Sequence, residues 1–326
     1  MKWIGRRQSI GIAKEAVRGV GVSPSYWLNV LSFSFQDIPT KALSEASFGR
    51  ITGGDQSPIT QIHGEGDMEV ELGDQSFGLI LLALLGSVSS TGPTDTSAYT
   101  HEFSLENDNQ HQSLSITTTD PIGNLMYELA MINSLEIAIV PDSILSYTVS
   151  FMSKGSADTS GQSASYQSEN KFVGRNLTFK VATTTAGLAG ASATKLKSLT
   201  ITFEKNTEVS ATLSTLHPED VVNKLFTISG EVVLDYENRT MFDYITADAY
   251  KAIRIDLLGT TLVSGAATTY PEFTLDLSKV SFDTFEPDFS LNEIVTQTLS
   301  WNALYDAGLN DNVINACTLI NEVASY

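Results

Sequence analysis

Apolar residues in this chain come mostly in short alternating runs, and that pattern predicts a mainly β protein rather than a helical bundle. One run, Glu65-Gly66-Asp67-Met68-Glu69-Val70-Glu71-Leu72, is unusually acidic. Successive side chains of a strand point to opposite faces. Glu65, Asp67, Glu69 and Glu71 therefore share one face, and Met68, Val70 and Leu72 share the other. A related run, Glu231-Val232-Val233-Leu234-Asp235-Tyr236-Glu237-Asn238, puts Glu231, Asp235 and Glu237 on one face with Val232, Leu234 and Tyr236 behind. Val233 stands there where the first run has Asp67. Few opposite charges lie close by in sequence, so both rows are expected to face water. One greasy run breaks the alternation: residues 77–85 read as a short buried helix, started near Asp74 or Ser76 and stopped by Gly86.

The two acidic runs are 166 positions apart (231 minus 65), and other segments fall into line with them. Leu31-Ser32-Phe33-Ser34-Phe35-Gln36 matches Leu199-Thr200-Ile201-Thr202-Phe203-Glu204, and Ile62-His63-Gly64-Glu65 matches Ile228-Ser229-Gly230-Glu231. Leu84-Leu85-Gly86 matches Leu257-Leu258-Gly259, and Glu102-Phe103-Ser104-Leu105 matches Glu272-Phe273-Thr274-Leu275. Ile144, Thr148, Val149, Ser150 and Phe151 match Ile294, Thr298, Leu299, Ser300 and Trp301. The expectation is a duplicated β unit, each copy with one short helix, the second around residues 246–253. Residues 154–170, rich in Ser, Gly and Gln, read as the boundary, and residues 183–194 as a long Gly/Ala/Thr loop. The last dozen residues alternate too weakly to read as a strand.

With 326 residues and 42% apolar content, the chain can bury a sizeable core in one or two domains. The single Cys317 leaves no disulfide framework or metal cluster and reads as a small buried apolar residue. No secretory signal is visible, and the longest apolar run is far short of the roughly 20 residues of a membrane helix. The reading is of a soluble chain made in a cytoplasm. The net charge of −19 is uneven: residues 1–36 carry Lys2, Arg6, Arg7, Lys14 and Arg18 against Glu15, +4 (five minus one), so the remainder is −23 (−19 minus +4).

Catalytic patterns are missing. His63, His101, His111 and His217 are scattered, and no nucleophile elbow or phosphate loop occurs. Glu106-Asn107-Asp108-Asn109 lacks the Gly and the Glu of an EF-hand loop and reads as a solvated turn. Paired carboxylates can hydrolyse sugars, but seven in two strand-long rows point to a surface field. No active site, cofactor or metal site is expected. The acidic body also lacks the Lys/Arg clusters that neutralise phosphates.

The chain resembles the tail tube proteins, or major tail proteins, of long-tailed bacteriophages. The resemblance is carried by Ile10-Gly11-Ile12-Ala13-Lys14-Glu15 leading through Gly19 and Pro24 to Trp27-Leu28. It continues through Gly64-Glu65 and the acidic strand, the helix ending at Gly86, Asn133-Ser134-Leu135-Glu136-Ile137, and Tyr147-Thr148-Val149-Ser150-Phe151. It implies two tandem β-sandwich or barrel domains, each with a flanking helix: an extended arm at 1–28, a first tube domain at 29–153, a linker at 154–170 and a second tube domain at 171–326. It implies stacked rings of self-associated chains in the virion tail, trimeric and pseudo-hexameric or hexameric, with tape-measure and tail-end proteins as partners. Viral DNA would pass without specific binding, and no membrane would be bound. Glu65, Asp67, Glu69, Glu71, Glu231, Asp235 and Glu237 would line the channel, and Lys2, Arg6, Arg7, Lys14 and Arg18 would serve an arm that docks on a neighbouring subunit. A secreted or surface β-sandwich adhesin or pilus-like subunit is the alternative and expects an export signal. A jelly-roll lectin or sugar-active enzyme expects aromatics and carboxylates clustered in one cleft, whereas Trp3, Trp27 and Trp301 each lie near a different end or strand.

Overall fold

The computed structural model describes residues 2–308 and 312–326. In chain order, β1 (Ser9–Lys14), β2 (Tyr26–Trp27), β3 (Val30–Phe33), β4 (Gln36–Lys41) and β5 (Ile59–Glu71) precede helix α1 (Ser76–Leu85). There follow β6 (Gly86–Asp95), β7 (Ala98–Leu105), β8 (Leu114–Thr119), β9 (Asn124–Ile139), β10 (Ser146–Lys154) and β11 (Ala157–Thr159). Next come β12 (Leu177–Ala182), β13 (Ala193–Thr194), β14 (Ser198–Glu204), β15 (Glu208–Ser210), β16 (Asp220–Val222) and β17 (Thr227–Asp235). Helix α2 (Thr240–Thr246), β18 (Lys251–Leu258), β19 (Glu272–Phe282), β20 (Glu286–Asp288), β21 (Thr296–Ala303) and β22 (Ile314–Asn321) complete the described elements. The protein is mainly β, and all but the small β15–β16 hairpin belongs to one large antiparallel sheet. The two expected domains do not part into separate sandwiches, because β9 of the first half pairs directly with β14 of the second.

Eight strand positions follow one another across one part of this sheet. β3 and β4 together pair with β5, β5 with β10, and β10 with β9. β9 then pairs with β14, β14 with β17, and β17 with β21. β20 and the end of β19 pair with β21. One face is apolar and buried: Met68, Val70, Leu135, Ile137, Tyr147, Val149 and Phe151 in the first half, then Leu199, Ile201, Phe203, Val232, Leu234, Leu299 and Trp301. These residues belong to one contiguous core with α1 and with β1, β7, β8, β18, β19 and β22. β9 links the layers, pairing with β8 through its first half and with β10 and β14 through its second.

α1 forms where the helix is expected and ends at Gly86, whose φ of 104° suits the left-handed stop of a helix. All of its residues are buried, as a helix apolar on every side must be. Its ends are satisfied by distant groups. The Glu169 carboxylate accepts from Ser76 N (3.0 Å) and Ser76 Oγ (3.0 Å). At the other end Lys205 Nζ donates to the Ala83 carbonyl (2.9 Å), and His111 Nδ1 lies 3.0 Å from that of Leu84. A carboxylate at the N-terminus and a lysine at the C-terminus both complement the helix dipole. Burial pushes the Lys205 ammonium down to about 7 and also lowers His111, with Lys205 adding to the latter.

Several expectations need correction. The second helix lies at Thr240–Thr246, not around 246–253, because Ile253, Ile255 and Leu257 alternate with Arg254 and Asp256 and form β18. The C-terminal stretch is a strand after all, β22, held between β19 and β7. A bulge opposite Asp276 and Leu277 interrupts its alternation, which hid it. Residues 1–28 are not wholly an extended arm, since β1 pairs with β2 and β8 and buries Ile10, Ile12 and Ala13.

The repeat matches also shift. Gly66 lies opposite Phe151 and Gly230 opposite Trp301, so Asp67, Glu69 and Glu71 take the places of Glu231, Val233 and Asp235. The alignment of Glu65 with Glu231 is two residues out, and so is that of Leu31 with Leu199, since Phe33 faces Met68 as Leu199 faces Val232. A slip of two keeps every residue on its own face, so alternation cannot detect it. The match of Phe151 with Trp301 keeps its register. Leu84 and Leu85 end α1 whereas Leu257 and Leu258 end β18, while residues 102–105 and 272–275 lie in β7 and β19, which flank β22 on its two sides.

Candidate functional site

The opposite face of the eight-strand sheet carries the acidic rows. Glu65, Asp67, Glu69 and Glu71 project from β5 on the side away from Met68 and Val70, as alternation requires. Across from them stand Met152, Ser150, Thr148 and Ser146 of β10. Glu231 and Asp235 project from β17 opposite Ser300 and Thr296, with Val233 between them opposite Thr298. Glu237 is not part of this row: β17 stops at Asp235, and Glu237 N folds back to the Asp235 carbonyl (3.0 Å). In structural register, Val233 therefore takes the position that Glu69, not Asp67, holds in the first half.

Sequence reading missed four further carboxylates on the same face. Glu136 of β9 lies opposite Thr148 and Thr202, and Glu204 of β14 lies opposite Ser134. Glu286 and Asp288 of β20 lie opposite Thr298 and Thr296. The signal was available in Leu135-Glu136-Ile137, Phe203-Glu204 and Glu286-Pro287-Asp288, but β9 and β14 each bring one acid to this face and β20 only two. Between the acids stand mostly Ser and Thr hydroxyls, which accept and donate without adding charge.

Neutralising partners are confined to the margins. Lys171 Nζ lies 3.7 Å from Glu71, and Lys197 Nζ lies 3.4 Å from Asp235, so equivalent ends of the two rows each carry a lysine. Glu65 Oε2 is 3.2 Å from His63 Nε2 at the other end of β5. Glu69 accepts from Ser146 Oγ (3.2 Å) and Ser32 Oγ (3.4 Å). Carboxylates two residues apart along a strand are about 6.6 Å apart, a repulsion of about 0.6 kcal/mol in water. An exposed row tolerates this, and its members sum into a long-range field rather than creating one distinctive site.

The basic N-terminal residues divide into two groups. Lys2, Arg6 and Arg7 are exposed, with Arg7 stacked on Trp3 at 4.8 Å. Lys14 Nζ donates to the Tyr326 carbonyl (3.3 Å). Arg18 is held within its own chain by Asp220 (2.7 Å) and the His111 carbonyl (2.9 Å). Glu15, next to Lys14, is buried and accepts from Gly19 N (2.7 Å), Ser113 Oγ (2.6 Å) and Leu129 N (2.8 Å). It thereby fixes the turn that carries Arg18.

Among the described residues no group of three or more His, Cys, Asp or Glu could hold a metal ion. His101, buried and lowered by that burial, bonds Ser90 Oγ (2.8 Å) and Asn321 (3.0 Å). Like His111 it is occupied with structural bonds. A model of one protein family, described as phage tail tube protein, matches residues 5–303 of the chain. No curated protein matches it.

Proposed function

The chain belongs to the phage tail tube protein family, and from that premise we propose that its eight-strand sheet forms part of the wall of a channel, with the carboxylate face inward. The family is structural and non-enzymatic, its members self-associate, and it places the protein in the virion tail. The observation that carries the proposal is a continuous polar, acid-rich sheet face backed by a buried core and bounded, among the described residues, by two unpaired edges. Closing such sheets edge to edge removes the open strands that otherwise invite uncontrolled pairing. Phosphates in the bore are then repelled from every side, so a passing duplex meets no deep binding minimum.

Recurrent strand order and register support a duplicated tube unit. β3 with β4, β5, β10 and β9 form one set of four, and β14, β17, β21 and β20 with the end of β19 form the other. Three chains of eight strand positions give 24 strands (3 × 8). At about 4.8 Å per strand they close a wall about 37 Å across, which strand tilt widens. Two chains would leave about 24 Å between backbones before side chains intrude, too little for a duplex about 20 Å wide. A trimeric, pseudo-hexameric ring is the arrangement this favours, with the exposed Lys2, Arg6 and Arg7 segment docking on a neighbour.

Electron microscopy of assembled protein tests the reading. The expected outcome is hollow tubes whose reconstruction has Glu65, Asp67, Glu69, Glu71 and Glu231 on the bore. Tubes with these residues on their exterior would refute it.

A further inference from the structure

Two edges of the eight-strand sheet are unpaired among the described residues: β3 with β4 at one end and β20 at the other. Inside the chain, a seam of the same kind is already closed. There β9 pairs with β14, with Glu136 opposite Thr202, Ile137 opposite Ile201, Ala138 opposite Thr200 and Ile139 opposite Leu199. β20 occupies in the second set the place β9 has in the first. Thr148 and Ser146 face Glu136 and Ala138, as Thr298 and Thr296 face Glu286 and Asp288. Even the bulge recurs: one extra residue separates Ser134 from Ile132 against β10, and one separates Glu286 from Phe282 against β21. β3 and β4 likewise occupy the place of β14. Phe33 faces Met68 and Gln36 faces Glu65, as Leu199 faces Val232 and Thr202 faces Ser229.

We propose that the seam between chains copies the seam within the chain: β20 of one copy pairs antiparallel with β3 and β4 of the next, with Gln36 opposite Glu286 and Ser34 opposite Asp288. This rests on the tube reading and specifies its contact. The partner is a second copy of this chain, and the two edges are complementary in other respects. Phe289 is 63% exposed just past β20, and Leu31 is 56% exposed on β3, where the copied register brings Phe289 opposite Phe33. A groove of about 650 Å³ beside β3 has Leu28, Leu31 and Phe33 on its lining together with Arg6, Asn29 and Glu71, so it offers both apolar and polar contacts. Arg6 brings positive charge to this edge, and Glu286, Asp288 and Glu293 bring negative charge to the other.

A second feature fits the same copying rule. The β15–β16 hairpin follows β14 and lies on the first half, with Val209 and Val221 packed with Leu129, Met131 and Met152. Its counterpart after β4, residues 42–58, has no such cover and exposes Leu43, Phe48 and Ile51. The copied seam brings that hairpin onto the second half of the next chain. Pro39 and Pro287 carry no N–H, so these edges offer an incomplete ladder to any strand that lacks the matching side chains.

Cysteine cross-linking in assembled tubes tests the register. A disulfide needs Cα atoms within about 7 Å, while a four-residue offset displaces them by about 13 Å. The pair Gln36→Cys with Glu286→Cys is expected to give covalent multimers on oxidation of tubes and none in unassembled protein. Mixed single variants are expected to stop at covalent dimers. Ser32→Cys with Glu286→Cys, four residues out of register, is expected to remain monomeric, and buried Cys317 does not compete. Tubes that form but cross-link through the offset pair, or through neither, would overturn the proposal while leaving the tube reading intact. Failure of the unsubstituted chain to form tubes would remove the tube reading itself. If the first pair does not fold, Ser34→Cys with Asp288→Cys reads the same register.

Discussion

β5 and β17 hold the same place in their halves of the sheet, yet they share geometry more than charge. Both place a glycine opposite an aromatic, Gly66 facing Phe151 and Gly230 facing Trp301, and both bury two apolar residues beyond it. A side chain at Gly66 would meet Phe35 Cα at 2.5 Å, and one at Gly230 would meet the Trp301 ring at 2.3 Å. Charge is shared at two of three aligned positions, and Glu69 stands on the polar face where the second half has Val233. The covering helices differ more. α1 is buried at every residue, whereas α2 buries only Met241. Strand register in a common sheet tolerates no slip, while a field summed over many carboxylates tolerates the loss of one.

The helices offer the largest contrast to test. Phe77 packs against Tyr147 at 5.3 Å and Phe273 at 5.4 Å between ring centroids. Phe77→Ala is expected to cost about 3–5 kcal/mol by denaturant unfolding, and Met241→Ala, at a half-covered helix, clearly less. Equal losses would mean that the two halves rely on their helices alike. The glycines come next. Gly66→Val is expected to cost at least about 1–3 kcal/mol from overpacking, more than Gly230→Ala, because Gly66 is also held at φ 148°. A reversed order in thermal melts would break the proposed equivalence of the two sites.

A third contrast concerns pH. Lys205 belongs to the second half but caps the helix of the first. Its folded value near 7 lies below the ordinary lysine value, so its stabilising contribution is full above that ordinary value and is lost as pH falls towards 7. Asp74, pushed up to about 6 by burial, acts in the opposite sense: its contribution is full at acid pH and is lost as pH rises through 6. Lys205→Met is therefore expected to flatten the rise of melting temperature between pH 7 and 10, although the absolute level falls by about 1–3 kcal/mol because the Ala83 carbonyl loses its donor. An unchanged slope would exclude Lys205 as its source. The smallest effect is expected from Val233→Glu, which fills the gap in the second row. Stability should move by no more than about 0.5 kcal/mol, because the site is on the solvated face. A larger loss on chemical denaturation would show that Val233 is packed rather than solvated.

The alternation of Met68, Val70, Val232 and Leu234 with acids was legible in the chain, because a strand's two faces follow from its period of two. So was α1, whose apolar run and terminal glycine are local signals. Glu136, Glu204, Glu286 and Asp288 were not legible as parts of the site. Glu136 and Glu204 stand alone on this face of β9 and β14, Glu286 and Asp288 share the three-residue β20, and only cross-strand pairing assembles them with β5 and β17 into one surface. The true register of the two halves was hidden for a related reason: a two-residue slip leaves the pattern unchanged, and only the partners of Gly66 and Gly230 exclude it.

By itself, then, the sequence determined the mainly β character, the buried helix, the acidic rows and the membership of the family. The tertiary structure decided which strands adjoin, where β17 stops short of Glu237, that Arg18 is held by its own chain, and that Glu169 and Lys205 cap α1 from far along the chain. Local patterns act within a few residues and can be read in order. Strand neighbours and distant caps are chosen by the free energy of the whole packed core, to which residues remote in sequence contribute together.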